Sequence, residues 1–273
     1  FRSQAEALRV FFGKSEGKSN FVVTSGTGSG KTETFLFPIL LELAMEATTW
    51  NSQRAPHQWW NTQPPTWGAI RSGESRLPGV RTLLLYPTNA LVEDQMVRLR
   101  KSIRSINGLL KQRPVWFGRY TSSTPGSGDL PTRANLDEVR RRAAEIQEMC
   151  QEYDDFALSK PEIVDQLVDP RNGEMVTRWD MVSHAPDILV TNYSMLSAMM
   201  MRDLEIPLFE QTKTWLASDS RNRFNIVVDE LHLYRGTQGS EVAMILRNLL
   251  QRLGIANRPD KIRFLSKIGR AHV

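Results

Sequence analysis

Six short apolar runs punctuate the chain, and each stops abruptly at small or polar residues: "NFVVTS" (20–25), "VRTLLLYPT" (80–88), "VWFGRYTS" (115–122), "PDILVTN" (186–192), "FNIVVDE" (224–230) and "IRFLS" (262–266). None alternates cleanly between apolar and polar positions, as expected of strands buried on both faces in a parallel sheet. Helical patterns lie between them, chiefly over 30–47, 89–107, 133–152, 194–203 and 238–253. This alternation predicts an α/β fold, a mostly parallel sheet with helices on both faces. Ligands of such sheets sit beyond the carboxyl ends of the strands. The stretches "TSGTGSGKT", "PTNAL", "RYTS", "TNYSM" and "DELH" all begin where an apolar run stops.

Two stretches exceed a minimal domain and read as insertions on the sheet. Residues 48–79 are loop-like, with Trp50, Trp59, Trp60 and Trp67 among Pro, Gly, Gln and Asn. Residues 121–185 begin with "TSSTPGSGD" and run through an Arg/Glu-rich helix to "SHAPD". Neither is biased enough in composition to predict disorder. The four tryptophans either stack on single-stranded bases or form a small core that pins the insertion, which is the preferred reading.

Composition narrows the class. The 273 residues are 40% apolar, enough for one large domain. No apolar run is long enough for a membrane span. No charged-then-apolar leader opens the chain, so a cytoplasmic location is expected. The single cysteine, Cys150, can form neither an internal disulfide nor a cysteine zinc cluster. A net charge of +5 is compatible with a polyanionic partner without establishing one. The terminal "IGRAHV" (268–273) back-translates to a common sequencing-adapter string, so adapter read-through is expected there and the domain is taken as residues 1–267.

"TSGTGSGKT" has the chemistry of a phosphate cradle. Gly30, Lys31 and Thr32 fit the P-loop pattern, with Ser25 at its first glycine position. Gly26, Gly28 and Gly30 let backbone N–H groups of the Ser25–Thr27–Ser29 loop turn inward around phosphate. The helix that follows offers its N-terminus to the anion. Lys31 supplies charge for the β- and γ-phosphates, and the Thr32 hydroxyl is suited to Mg²⁺. In "IVVDELH", Asp229 ends a buried strand where a Walker-B aspartate would hold the Mg²⁺ shell. Glu230 is placed to act as general base on the attacking water. His232, two residues on, is placed to couple the site to a neighbouring surface. ATP and Mg²⁺ are therefore the expected cofactors.

Taken in order, "TSGTGSGKT", "YPTNALVEDQ", "ILVTNYSML" and "VVDELHLYRG" resemble motifs I, Ia, Ib and II of superfamily 2 DExH helicases. The finer likeness, in "YPTNALVEDQ", "GRYTSSTPG" and "LYRGTQGSEVAMILRNL", is to MrfA/YprA-like repair helicases and to helicases of DISARM-type phage defence. The resemblance implies a RecA-like P-loop NTPase domain that binds ATP-Mg²⁺ and moves along nucleic acid, DNA rather than RNA, in repair or antiviral defence. Gln4 falls where a Q-motif glutamine would read the adenine edge, with Arg2 close by. Pro87, Thr88 and Asn89 match one turn that touches the nucleic-acid backbone, and Thr191 and Asn192 match the second. Relatives often carry a basic residue at the Asn89 position, but an amide also donates to phosphate. Gly118, Arg119 and Thr121 belong to the same edge, where Arg119 pairs either a phosphate or an acid such as Asp187. The resemblance also implies arginine fingers from a second RecA-like domain. That domain is not in this chain, which alone should hydrolyse ATP very slowly.

Other features are read as structure. "MLSAMMMR" (195–202) is taken as a packed helix face, and Arg140, Arg141 and Arg142 as a solvated face with i,i+4 pairs rather than a DNA-facing patch. His57, His184 and His272 have no spacing that suggests metal. Two rival functions stand beside the helicase: a P-loop motor acting on protein, and a non-catalytic DNA-binding module.

Overall fold

The computed structural model describes residues 2–13, 20–24, 31–51, 55–110, 114–126, 128–132, 136–234 and 236–268. Its strands are β1 (Phe21–Thr24), β2 (Thr82–Tyr86), β3 (Phe117–Tyr120), β4 (Glu174–Met175), β5 (Ile188–Asn192), β6 (Phe224–Val228) and β7 (Ile262–Ile268). They form one seven-stranded sheet in the order β1-β7-β6-β2-β5-β3-β4, with every pairing parallel. β2, β5 and β6 are buried at every position, which explains their continuous apolar runs.

The sheet separates two apolar cores. On one face α1 (Arg2–Phe12), α2 (Lys31–Ala47) and α3 (Asn89–Leu110) cover Leu84, Tyr86, Val190 and Val227. On the other, α4 (Leu136–Ser159), α5 (Arg178–Ser183), α6 (Tyr193–Met201), α7 (Ile206–Ser218) and α8 (Gly236–Arg252) cover Leu83, Leu85, Leu189 and Ile226. The predicted α/β class and both-face layering are observed.

Several boundaries differ from the pattern-based reading. α4 runs to Ser159 rather than ending at 152. β7 continues past Ser266, and Ile268 pairs with Thr24 of β1. α7 lay outside the apolar pattern because its inward stripe, Leu208–Thr212–Trp215, carries a threonine at its centre. The Thr212 hydroxyl donates to Leu208 O at 2.8 Å and accepts from Val80 N at 3.0 Å, so the polar position is satisfied inside the core.

The two extra stretches pack together. Trp59 and Trp60 are fully buried in the second core. Gln147 of α4 donates to Trp60 O at 2.6 Å, and Trp67 meets Trp179 edge-on at 6.5 Å. Ile70 N donates to the buried carboxylate of Asp180 at 3.0 Å. The preferred reading of the tryptophans, a pinning core, therefore holds for Trp59 and Trp60. The second stretch also contributes β4, an edge strand, and does more than decorate the sheet.

A buried ionic knot anchors the first stretch to the sheet at its amino end. Asp187, just before β5, accepts from Arg76 at 2.6 and 2.8 Å and from Trp116 N at 2.8 Å, with Arg81 at 3.1 Å. Arg76 also lies over the Trp50 ring, 3.7 Å from its centroid, and Arg81 pairs Glu46 of α2 at 2.8 Å. Burial opposes the charge on Asp187, but Arg76 and Arg81 outweigh it and hold the carboxyl well below the usual carboxylate range.

Candidate nucleotide and nucleic-acid site

The carboxyl ends of β1, β6, β2 and β5 gather the residues singled out above. Ser25, Gly26, Thr27, Gly28, Ser29 and Gly30 lie outside the described residues. The backbone of Lys31 and Thr32 opens α2 directly after them. Gln4 sits half-buried on α1, the helix that packs on α2.

Asp229 follows β6 and is held in sheet register, its N–H donating to Leu85 O at 3.0 Å. It is only 3% exposed. One carboxylate oxygen accepts from Glu230 N at 2.8 Å. Glu230 adopts φ 48°, ψ 46°, and no other non-glycine among the described residues has positive φ. A left-handed glutamate costs about 1–2 kcal/mol, strain that marks functional turns more often than scaffold. The turn swings the Glu230 carboxylate to 3.2 Å from His232 Nδ1. Among the described residues no group of three or more His, Cys, Asp or Glu is placed to hold a metal. Asp229 offers one protein carboxylate, the small share that a metal bound through substrate phosphates asks of a protein, and the Thr32 side chain lies outside the described residues.

The two turns matched to nucleic-acid contacts are joined. Asn192 caps α6 by accepting from Met195 N at 2.7 Å, and its Nδ2 donates to Asn89 Oδ1 at 2.6 Å. Thr88 Oγ1 accepts from Leu91 N at 3.4 Å, at the start of α3. Thr88 and Asn89 are exposed and Pro87 is half-buried. Thr191 is different: it is fully buried and its hydroxyl donates to Tyr120 O at 2.6 Å. Its side chain supports the turn from beneath instead of facing outward.

Arg119 pairs Glu93 of α3. The Asp187 alternative is corrected, since that carboxylate belongs to Arg76 and Arg81 at the other end of the sheet. Thr121 is buried in a turn, its N–H donating to Thr124 Oγ1 at 2.9 Å. Gly118 is needed for close packing, because a Cβ there would lie 2.4 Å from Met181 Sδ.

Two features went unmarked in the sequence reading. Arg98 of α3 reaches Glu33 in the first turn of α2 at 3.3 Å, linking the helix after Pro87–Asn89 to the helix after the glycine loop. Tyr86, the residue before Pro87, is fully buried, and burial together with Asp229 holds its hydroxyl well above its ordinary pKa. The signal available was the aromatic residue closing the "TLLLY" run.

The features read as structure behave so. Met195, Leu196 and Met199 are core residues of α6. Arg140 and Arg141 are exposed but pair Asp137 and Glu138 at i,i+3 instead of the expected i,i+4, and Arg142 departs from the solvated face, being half-buried and paired with Glu145 at 2.6 Å and Glu138 at 4.0 Å. His57 is exposed, His184 contacts Ser183 Oγ at 3.0 Å, and His272 lies outside the described residues. No described helix is long and apolar enough to cross a membrane.

Comparison with known proteins agrees with this geometry. Residues 1–116 match the DEAD/DEAH box helicase family model. The chain is 34% identical, over 298 aligned positions, to the Druantia protein DruE of Escherichia coli (strain UMEA 4076-1), covering 93% of this chain and 15% of that protein. Among solved structures it superposes on the DUF1998 helicase MrfA bound to DNA and AMPPNP, with a TM-score of 0.51 and 20% identity over 100% of this chain and 24% of that one. The MrfA complex with DNA gives a TM-score of 0.50, also at 20% identity, over 100% of this chain and 24% of that one. The chain thus spans a small part of the length of both relatives. Sheet order and these likenesses agree: the fold is RecA-like, and residues 1–116 are similar to DEAD/DEAH box helicases.

Proposed function

We propose that this domain is the ATP-binding half of a DNA-translocating motor. The observation that carries the reading is the Asn192–Asn89 bond, which ties the two candidate nucleic-acid turns together one strand from Asp229. Support for ATP and DNA comes from the MrfA structures, solved with DNA and with AMPPNP. On the finer motif likeness we assign the protein to DNA repair or antiviral defence.

Each residue then has a chemical task. Backbone N–H groups of Ser25–Gly30 and the Lys31 ammonium bind the phosphates. Thr32 and Asp229 hold Mg²⁺, which when bound offsets the charge of the phosphate oxygens. Glu230 takes the proton of the attacking water, and His232, 3.2 Å away, orients that carboxylate. Gln4 reads the adenine edge. Pro87, Thr88, Asn89, Arg119 and Asn192 face the nucleic-acid backbone, with Thr191 bracing them. Arg119 must exchange Glu93 for phosphate, which makes Glu93 a competitor for that site.

The test is ATP hydrolysis by the intact protein with single-stranded DNA, duplex DNA, RNA or unfolded polypeptide added. DNA should accelerate turnover most. Acceleration by polypeptide and not by DNA would instead make it a protein motor.

A further inference from the structure

Tyr86 has a place in the site that the motif pattern does not give it. Leu85 of β2 is in register with Val228 of β6, so Tyr86 and Asp229 are the next pair in register across two parallel strands. Paired residues in a parallel ladder project to the same face, on strands about 5 Å apart. That face is the one covered by α2 and α3, since Tyr86 packs in the core with Val227, Phe35 and Val92. The Tyr86 side chain is 1% exposed, yet its hydroxyl has no hydrogen-bond partner among the described residues. A buried hydroxyl left unpaired is costly, and natural cores seldom retain one without a use. Asp94 and Arg98 of α3 are the other charged groups that act on it, and Arg98 reaches on to Glu33 beside Thr32.

Tyr234 has a second buried hydroxyl with no partner among the described residues. It belongs to the opposite core, packed edge-on against Tyr193 at 6.3 Å. Of these two hydroxyls, that of Tyr86 lies on the sheet face covered by α2, where the backbone of Lys31 and Thr32 begins.

We infer that Tyr86 is a positioning residue of the metal site: its phenol O–H donates to Asp229, or to a water in the shell that Asp229 holds, when Mg²⁺-nucleotide is bound. This rests on the nucleotide site proposed above. It also gives the ladder a mechanical consequence. Tyr86 is bonded through its backbone to Pro87, so the residue that would sense the metal shell begins the turn expected to touch nucleic acid.

The experiment compares Tyr86→Phe with the parent in the intact protein, by titrating Mg²⁺ against binding of a fluorescent ATP analogue. The Mg²⁺ concentration for half-maximal binding should rise about three- to tenfold, the range for one ordinary lost hydrogen bond, and by more where the bond is made to the Asp229 carboxylate itself. The melting temperature without nucleotide should hold or rise, because the substitution removes an unpaired buried hydroxyl. Binding of the analogue in excess EDTA should not change. An unchanged Mg²⁺ midpoint in Tyr86→Phe would overturn the inference and leave Tyr86 as packing. Asp229→Asn run in parallel separates the two levels. If it too leaves the Mg²⁺ midpoint in place, the proposed metal site is wrong and not only the role of Tyr86.

Discussion

Asn192 Nδ2 donates to Asn89 Oδ1 at 2.6 Å, and this bond joins the turn after β5 to the turn after β2. Neither residue is charged, so on the proposed function the pair would offer nucleic acid a fixed set of amide groups in place of a flexible cation. The same asparagine caps α6, so shape and stability depend on one side chain.

Asn192→Ala should therefore lose both. Removing an N-cap costs about 1 kcal/mol, and the lost bond to Asn89 about as much again. Asn89→Ala loses only that bond and should cost about 1 kcal/mol. Each variant should weaken DNA binding several-fold while leaving ATP-analogue affinity unchanged. A thermal-melt series with DNA titrations checks both. Equal destabilisation by the two alanines would show that the cap carries little.

Glu230 combines strain with chemistry. Glu230→Gln should retain nucleotide and DNA binding but lower hydrolysis in the intact protein by about 10²–10⁴-fold, the range for a general base. Glu230→Gly should lose hydrolysis equally. Its fold should not suffer, because relief of a left-handed side chain by about 1–2 kcal/mol offsets the glycine entropy of about 0.5–1 kcal/mol. Single-turnover ATPase assays beside melting curves test the pair. Wild-type hydrolysis in Glu230→Gln would move the base elsewhere.

Legibility in the sequence followed distance along the chain. The carboxyl-edge residues stood out because each ends a run of apolar positions, as Asp229 ends Phe224–Val228. The left-handed turn at Glu230 left no trace, since no glycine or asparagine marks it. Thr212 hid α7 by placing a hydroxyl on the buried stripe. Arg76, Arg81 and Asp187 are ordinary charges in sequence and become a buried knot only when the chain closes over more than a hundred residues. The acid partner of Arg119 was misjudged for the same reason: Glu93 lies one turn into α3, a position that spacing alone does not bring near β3.

Breaking the knot should be expensive. Arg76→Ala strips Asp187 of its two shortest side-chain bonds and leaves a fully buried carboxylate to Arg81 and Trp116 N. Loss of one partner of a buried pair costs about 3–5 kcal/mol, with the residual Arg81 contact placing Arg76→Ala near the lower end. Chemical denaturation at neutral pH measures it. A cost below about 1 kcal/mol would mean that Arg81 compensates fully.

Asp180 and Asp187 should pull stability in opposite directions as pH changes. Asp187 titrates below its ordinary range when folded, so its contribution is present above the unfolded value near 4 and declines as the pH falls below that. Asp180 is pushed up to about 6 by burial, against the hydrogen bonds from Thr177 and Ile70. The folded state therefore holds a proton on Asp180 that the unfolded state has released between about pH 4 and 6. Stability from this residue is greatest below about pH 4, is lost as pH rises through about 6, and changes little above that. Asp180→Asn carries the neutral form at every pH. Its Oδ1 can still accept from Ile70 N, and its Nδ2 can donate to Thr177 Oγ1 in place of the 2.6 Å bond accepted now. At pH 8 it should match or exceed the parent by up to about 3 kcal/mol, the cost of ionising a carboxyl pushed up to about 6. At pH 4 the advantage should vanish. Denaturant unfolding of both proteins between pH 4 and pH 8 decides this: parallel curves would mean that Asp180 is ionised in the folded protein throughout that range.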